Sequence, residues 1–257
     1  MKIEWMELKS FLDEKTALYN RPEFIPGDPV SVPHLFVEKN DIEIAGFLTA
    51  IMAWGNRASI INSATNLVRQ MDFSPYDFIL DAGEKDLARF RKFVHRTFNG
   101  DDCFYFLKTL KIIYHEYGGL EQIFTEPVRQ GKTLKESLIR FRKIFFTGKH
   151  SGHVLKHVAD VEKNASAKRL CMFLRWMVRR DKGNVDFGLW QEISPSLLFC
   201  PLDVHSGRVA RSLNLLTRKS NDWIAVEELT SQLRSFDPCD PVKYDFALFG
   251  LGIYENF

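Results

Sequence analysis

Apolar residues recur at helical spacing along most of the chain. Between Asp41 and Met52, for example, they stand at positions 44, 47, 48, 51 and 52, which places them on one face of a helix. The same spacing predicts helices over residues 5–19, 58–71, 103–117, 133–146, 206–216, 223–235 and 241–253. No segment alternates apolar and polar residues with a period of two for long. The pattern therefore predicts an all-α protein.

Two further predicted helices form a helical hairpin, with one limb from His150 to Val161 and the other from Lys168 to Arg180. The second limb begins with a lysine and is strongly apolar. A third helix follows the segment Pro201–His205, and Asp203 stands just before it. The pattern thus puts a lysine and an aspartate at two helix starts, in a region of about residues 150–216 within a single unit, 1–257.

Composition narrows the class of protein. The 257 residues are 45% hydrophobic, enough for a sizeable buried core, and no apolar run approaches the length of a membrane span. The four cysteines are far apart and form no C-x-x-C pair, which is typical of reduced thiols and predicts a cytoplasmic protein. Neither glycine-rich nucleotide motif occurs, so we expect no nucleotide cofactor. His34, His95 and His115 have no partner at ligand spacing, and we expect no metal. A net charge of +2 permits DNA binding through a local patch, and we expect a monomer.

A lysine and a carboxylate together suit the removal of a base from DNA. Breaking the bond between the sugar and the base gives a transition state with oxocarbenium character, which a carboxylate such as that of Asp203 stabilises. A lysine amine attacks the anomeric carbon and forms a Schiff base, and that role falls to Lys168. The helix start and the adjacent Arg169 both favour the neutral amine.

Each residue also has a simpler interpretation. The pair Lys168-Arg169 is typical of the solvated face of a helix, and Asp203 is a typical residue to cap the N-terminus of the next helix. The two interpretations stay open for each residue.

The C-terminal half resembles the helix-hairpin-helix DNA glycosylase superfamily, which includes endonuclease III. The segment Pro201–Leu213 is similar to that superfamily's Val-Asp-Thr-His followed by an Arg-Val helix, and Phe47–Arg57 is similar to its early helix and wedge loop. In place of the superfamily's Leu-Pro-Gly-Val-Gly the chain has Glu162–Lys168, without glycine, and no four-cysteine iron–sulfur cluster follows Asp203. Lys168 and Asp203 are also 35 residues apart, longer than in endonuclease III, and this gap and the missing glycines resemble the archaeal 8-oxoguanine glycosylase branch. The whole chain also resembles a bacterial family labelled as a domain of unknown function.

The resemblance implies two helical subdomains flanking a cleft. It further implies a repair enzyme that flips a damaged purine, such as 8-oxoguanine, out of double-stranded DNA and excises it, with lyase activity through Lys168. Two alternatives remain, namely a non-catalytic DNA-binding module and a helical interaction scaffold.

A flipped base needs apolar plates and a few polar groups. The candidates for this pocket are Trp54, Met172, Trp176 and Phe249 as plates, with Arg175 and Asp245 as polar readers. The bulky ones are equally typical of a core. The candidates for DNA contacts are Lys163, Asn164, Ser166, Arg208 and Arg211, with Asn56 and Arg57 as the wedge. We interpret the basic stretch from Lys149 to His157 as a solvated helix face.

Overall fold

The fold consists of helices and turns. The computed structural model describes residues 5–255 and 257, and within that part of the chain it contains α-helices and short 3₁₀ turns but no strand. The all-α prediction is therefore confirmed. The α-helices are α1 Trp5–Tyr19, α2 Lys39–Met52, α3 Arg57–Arg69, α4 Pro75–Asp81, α5 Glu84–Ala88, α6 Gly100–Glu116, α7 Leu120–Arg129, α8 Leu134–Phe145, α9 Lys168–Val178, α10 Val204–Ser212, α11 Trp223–Phe236 and α12 Tyr244–Tyr254.

The chain divides into two compact units. One runs from Ile25 to Ala159, and the other joins the N-terminal helix α1 to the residues from Asp160 onward. Of the helices described, none combines the length and the apolar character that a bilayer crossing requires.

The 25–159 unit has an aromatic core. The ring centroid of Phe47 in α2 lies 6.0 Å from that of Phe106 in α6 and 5.6 Å from that of Phe141 in α8. All three rings are fully buried, and burying each contributes about 2 kcal/mol to folding. Helices α7 and α8 pack as a hairpin, in which Thr133 caps α8 through a reciprocal pair with Glu136.

The start of α6 is fixed by its sequence. The Asn99 side chain accepts from the backbone N–H groups of Asp101 and Asp102, and the Asp102 carboxylate accepts from Asn99 N at 3.0 Å. A Cβ on Gly100 would lie 1.8 Å from the carbonyl oxygen of Arg91, so only glycine fits there. The capping box and the close backbone approach together hold the Asp102 carboxylate in place.

In the other unit, α12 packs against both α1 and α10. A Cβ on Gly250 of α12 would lie 2.1 Å from the ring of Tyr19 in α1, so glycine lets that ring sit directly on the helix. Tyr244 Oη donates to Asp13 Oδ1 at 2.9 Å, and Lys15 pairs with Glu255 at 2.8 Å. These contacts hold α12 against α1.

The predicted hairpin is half right. Its second limb forms α9, but the first limb, His150–Val161, is wrong because that segment contains only the 3₁₀ turns Val154–His157 and Val161–Lys163. Gly152 weakens helix formation there through its backbone entropy. His153 and His157 also bind Asp102 in α6, and these contacts hold the segment in a turn conformation.

Candidate active site

The turn before α9 takes its shape from two residues in the left-handed region of backbone space. Asn164 has φ 63° and Ala167 has φ 49°. This conformation is easiest for glycine and is tolerated by asparagine. The segment Glu162–Lys168 contains no glycine, yet at these two positions it adopts a backbone conformation that glycine favours.

Asn164 also fixes the start of α11. Its backbone oxygen accepts from Trp223 N at 3.0 Å, and its side-chain oxygen accepts from Ile224 N at 3.2 Å. Both N–H groups belong to the first turn of α11, which has no helical acceptors for them. Asn164, expected as a phosphate contact, is thus engaged through both oxygens in holding α9 and α11 together.

Asp203 caps α10 with one of its two carboxylate oxygens. Oδ1 accepts from His205 N at 2.9 Å and from Ser206 N at 3.0 Å, while Ser206 Oγ accepts from Asp203 N at 3.0 Å. This is a complete capping box. The capping interpretation of Asp203 is therefore correct, and it uses Oδ1.

The other oxygen faces the lysine. Asp203 Oδ2 lies 3.7 Å from Nζ of Lys168, the first residue of α9. Each side chain is 25% exposed, so the pair is partly desolvated yet open to solvent. The fold thus brings together two helix starts that are remote in sequence, with an amine and a carboxylate in contact.

A buried ionic network lies along the same helix. Arg175, two turns after Lys168, donates through Nη1 to Asp245 Oδ2 and through Nε to Asp186 Oδ1, the latter at 3.2 Å. Its guanidinium carbon lies 4.2 Å from the ring centroid of Phe246. Arg175 and Asp245, predicted as polar contacts to a flipped base, are therefore neighbours, but they bind each other.

Asp245 responds to the charges of Lys168 and Asp203. The pKa of Asp245 is raised to about 6, because burial and the nearby Asp203 carboxylate raise it by more than the Arg175 and Lys168 cations lower it. The network is thus electrostatically connected to the lysine–aspartate pair.

The predicted plates lie in different surroundings. Met172 and Trp176 are buried in α9, and Trp176 has no exposed surface, which fits its interpretation as core. Phe249 is half-buried in α12, one turn after Asp245. Trp54 belongs to the 25–159 unit, where its ring lies near those of His95 and His157 at 5.1 and 5.8 Å between centroids.

The predicted DNA contacts also differ. The side chain of Lys163 is 83% exposed, and Ser166 is half-buried just before α9. Arg208 is exposed and donates to the Gly252 carbonyl at 3.1 Å. Of the wedge pair, Asn56 caps α3 by accepting from Ser59 N at 3.2 Å, and Arg57 is the first residue of that helix.

Arg211 is connected to Asp203 through Asn221. It donates to Asn221 Oδ1 at 2.6 Å, and Asn221 Nδ2 in turn donates to the Asp203 carbonyl at 2.8 Å. A Cβ on Gly207 would lie 2.8 Å from Asn221 Oδ1, so glycine makes room for this bridge. No periodic pattern in the sequence points to Asn221, because it lies in a loop and acts only through contacts made by the fold.

One family matches the chain. The family described as Protein of unknown function (DUF2400) matches residues 28–254, which include both members of the lysine–aspartate pair. No curated protein and no solved structure gives a significant match.

Proposed function

The chain belongs to the DUF2400 family, and we propose that it is a DNA glycosylase with lyase activity that excises a damaged purine from double-stranded DNA. The observation that carries the proposal is the approach of Lys168 Nζ to Asp203 Oδ2 at 3.7 Å, with both side chains partly exposed. The order of the two residues and their positions at helix starts support it through the resemblance to helix-hairpin-helix glycosylases.

The lysine supplies the nucleophile. Its neutral amine attacks C1′ of the damaged nucleotide, the bond from C1′ to the base nitrogen breaks, and the base leaves with the bonding electrons and takes up a proton. Loss of the amine proton and opening of the sugar ring give a Schiff base between Nζ and C1′. Removal of a proton from C2′ then expels the 3′ phosphate, which cuts the strand.

Asp203 supplies a negative charge next to the reacting sugar. As the base leaves, positive charge develops on the sugar, and a fixed carboxylate stabilises it without having to reorganise. Asp203 is fixed because its other oxygen caps α10 and its carbonyl accepts from Asn221. The capping contacts and the proposed catalytic role are therefore compatible, and the first provides the rigidity that the second needs.

The lesion class comes from the resemblance to the archaeal 8-oxoguanine branch. We infer an oxidised purine, with Phe249, which is half-buried, as a plate. The compartment follows from the substrate. Four free cysteines and a DNA substrate fit a reducing cytoplasm.

Trapping of the Schiff base tests the proposal. The full chain is incubated with duplexes that each carry a single lesion or an abasic site, and borohydride is added to reduce the imine to a stable amine. We expect a covalent protein–DNA adduct with the wild type. Lys168→Gln should abolish it, whereas Lys219→Gln, which removes an exposed lysine from the same unit, should not.

The alternatives give different results. Tight binding to abasic DNA without any adduct or base release would favour a non-catalytic DNA-binding module. Absence of DNA affinity even at low salt, where phosphate contacts are strongest, would favour a helical interaction scaffold. An adduct that persists in Lys168→Gln would assign the nucleophile to another residue.

A further inference from the structure

Three side chains with metal-binding atoms converge in the 25–159 unit. His157 Nε2 lies 3.0 Å from Asp102 Oδ2, and His153 Nδ1 lies 2.9 Å from the same carboxylate. One donor atom from each of Asp102, His153 and His157 lies within 4.8 Å of the other two. Asp102 and His157 are almost fully buried, with side chains 1% and 2% exposed, whereas His153 is 41% exposed.

The donor set suits a transition metal. Two imidazole nitrogens and one carboxylate oxygen are preferred ligands of Zn²⁺ and of related divalent ions, which often bind three protein ligands and leave one position open. With metal–ligand distances of about 2.0–2.2 Å, tetrahedral ligand atoms lie about 3.3–3.6 Å apart. The observed separations of 2.9 and 3.0 Å between the carboxylate and the two rings need only small adjustments to admit an ion.

The surroundings hold the ligands in place. The capping box at the start of α6 fixes Asp102, and the rings of Phe98, Trp54 and Phe106 lie 4.9, 5.8 and 6.4 Å from that of His157. Lys156 Nζ lies 2.7 Å from His153 Nε2 and can only donate to it, so His153 Nδ1 carries the ring proton in this structure, and metal binding releases both that proton and the Lys156 contact. The capping box and the surrounding rings hold Asp102 and His157 in place.

The cluster also has an approach from solvent. A cavity of about 910 Å³ is lined by Asp102 and His153, together with residues of α6 and of the loop after α8. We propose that Asp102, His153 and His157 bind a divalent transition-metal ion of the zinc class, with the fourth coordination position directed to this cavity. The site lies in the unit that contains neither Lys168 nor Asp203, so it is independent of the proposed glycosylase chemistry.

Direct titration tests the site. The full chain is treated with a chelator, dialysed and titrated with ZnCl₂ in a calorimeter, and with Co²⁺ while its visible absorption is recorded. We expect one ion per chain and a Co²⁺ spectrum typical of nitrogen and oxygen ligands in low coordination. His153→Ala, which truncates the most exposed ligand, should weaken Zn²⁺ binding at least ~10-fold, because loss of a ligand costs no less than loss of its supporting contacts.

A neighbouring histidine provides the matched control. His150 is half-buried and lies outside the cluster, so His150→Ala should bind Zn²⁺ as the wild type does. Bound Zn²⁺ should also raise the melting temperature of the wild type and of His150→Ala, and raise that of His153→Ala by less at the same Zn²⁺ concentration. The proposal is overturned if no stoichiometric binding occurs, or if His153→Ala binds Zn²⁺ as tightly as the wild type.

Discussion

Asp203 has two partners because its two carboxylate oxygens point in different directions. Asp203→Asn keeps an oxygen that can accept from His205 N and Ser206 N but loses the charge that faces Lys168. We expect base release to fall by about 100-fold or more, since the charge stabilises the transition state. Stability should change by less than about 0.5 kcal/mol, because an asparagine cap is nearly as good as an aspartate cap. Single-turnover kinetics and urea unfolding measure the two effects.

Asp203→Ala separates the cap from the charge. It removes both, so it should lose the same activity and a further ~1 kcal/mol of stability. Thr133→Ala removes the cap of α8 in the other unit, and should cost similar stability while base release stays normal. If Asp203→Asn lost DNA binding and base release equally, the role of Asp203 would be structural.

Asp245 should make stability depend on pH. Its pKa rises from 3.8 to about 6 on folding, mainly through burial. The folded chain therefore binds this proton more tightly than the unfolded chain, so protonation stabilises the fold. That contribution is complete below about pH 4 and is lost as the pH rises through about 6.

The variant Asp245→Asn stays neutral at every pH. Relative to the wild type, its unfolding free energy should therefore increase between pH 4 and 6, by at most about 1.4 kcal/mol per pH unit. Urea unfolding at pH 4, 5, 6 and 7 measures the difference. A difference that does not vary with pH would show that Asp245 ionises normally in the folded chain.

At the scale of elements, Asn164 binds the turn before α9 to the start of α11. Asn164 combines a left-handed backbone with a side-chain oxygen that accepts from Ile224 N. Asn164→Gly loses the hydrogen bond but relieves the backbone, whereas Asn164→Ala loses the bond and keeps a strained conformation. The alanine variant should therefore be less stable than the glycine variant by about 1 kcal/mol, as measured by urea unfolding. Equal stabilities would mean that the turn relaxes.

The helices that can be predicted from the sequence are those with local signals, namely regular apolar spacing and capping residues. Helix α8 has regular apolar spacing and the Thr133–Glu136 box, and α10 has Asp203 at its cap, so local physics decides both. The prediction of a helix from His150 to Val161 is wrong because the conformation of this segment depends on Asp102. That residue lies 51 residues before His153 and 55 before His157. No local pattern reports a contact at that separation. For the same reason the sequence predicts a solvated helix face where His153 and His157 lie.

The site was predictable in part. Lys168 and Asp203 stand at helix starts in the chain, and the resemblance supplied their pairing. The burial of Arg175 against Asp186 and Asp245, and the bridge through Asn221, depend on tertiary contacts that periodicity does not encode.

At the scale of the molecule, the N-terminal helix supports a site to which it contributes no residue of its own. Helix α12 contains Asp245 and packs against α10, which Asp203 caps. Helix α1 packs against α12, and the ring of Tyr19 lies on Gly250. Gly250→Ala places a methyl group 2.1 Å from that ring, and such overpacking typically costs about 1–3 kcal/mol. The displaced α12 should also lower the yield of trapped adduct, although position 250 touches none of the reacting groups.

A double-mutant cycle identifies the cause. Tyr19→Ala removes the ring, so Gly250→Ala should cost close to nothing in that background, giving a coupling energy of about 1–3 kcal/mol. Hydrogen exchange locates the effect, because amides of α1, α10 and α12 should lose protection in Gly250→Ala while those of α6 and α8 serve as an internal reference. If the two substitutions were additive, the ring would not be what excludes a side chain at position 250. The lost activity would then need an explanation other than the seating of α1 on α12.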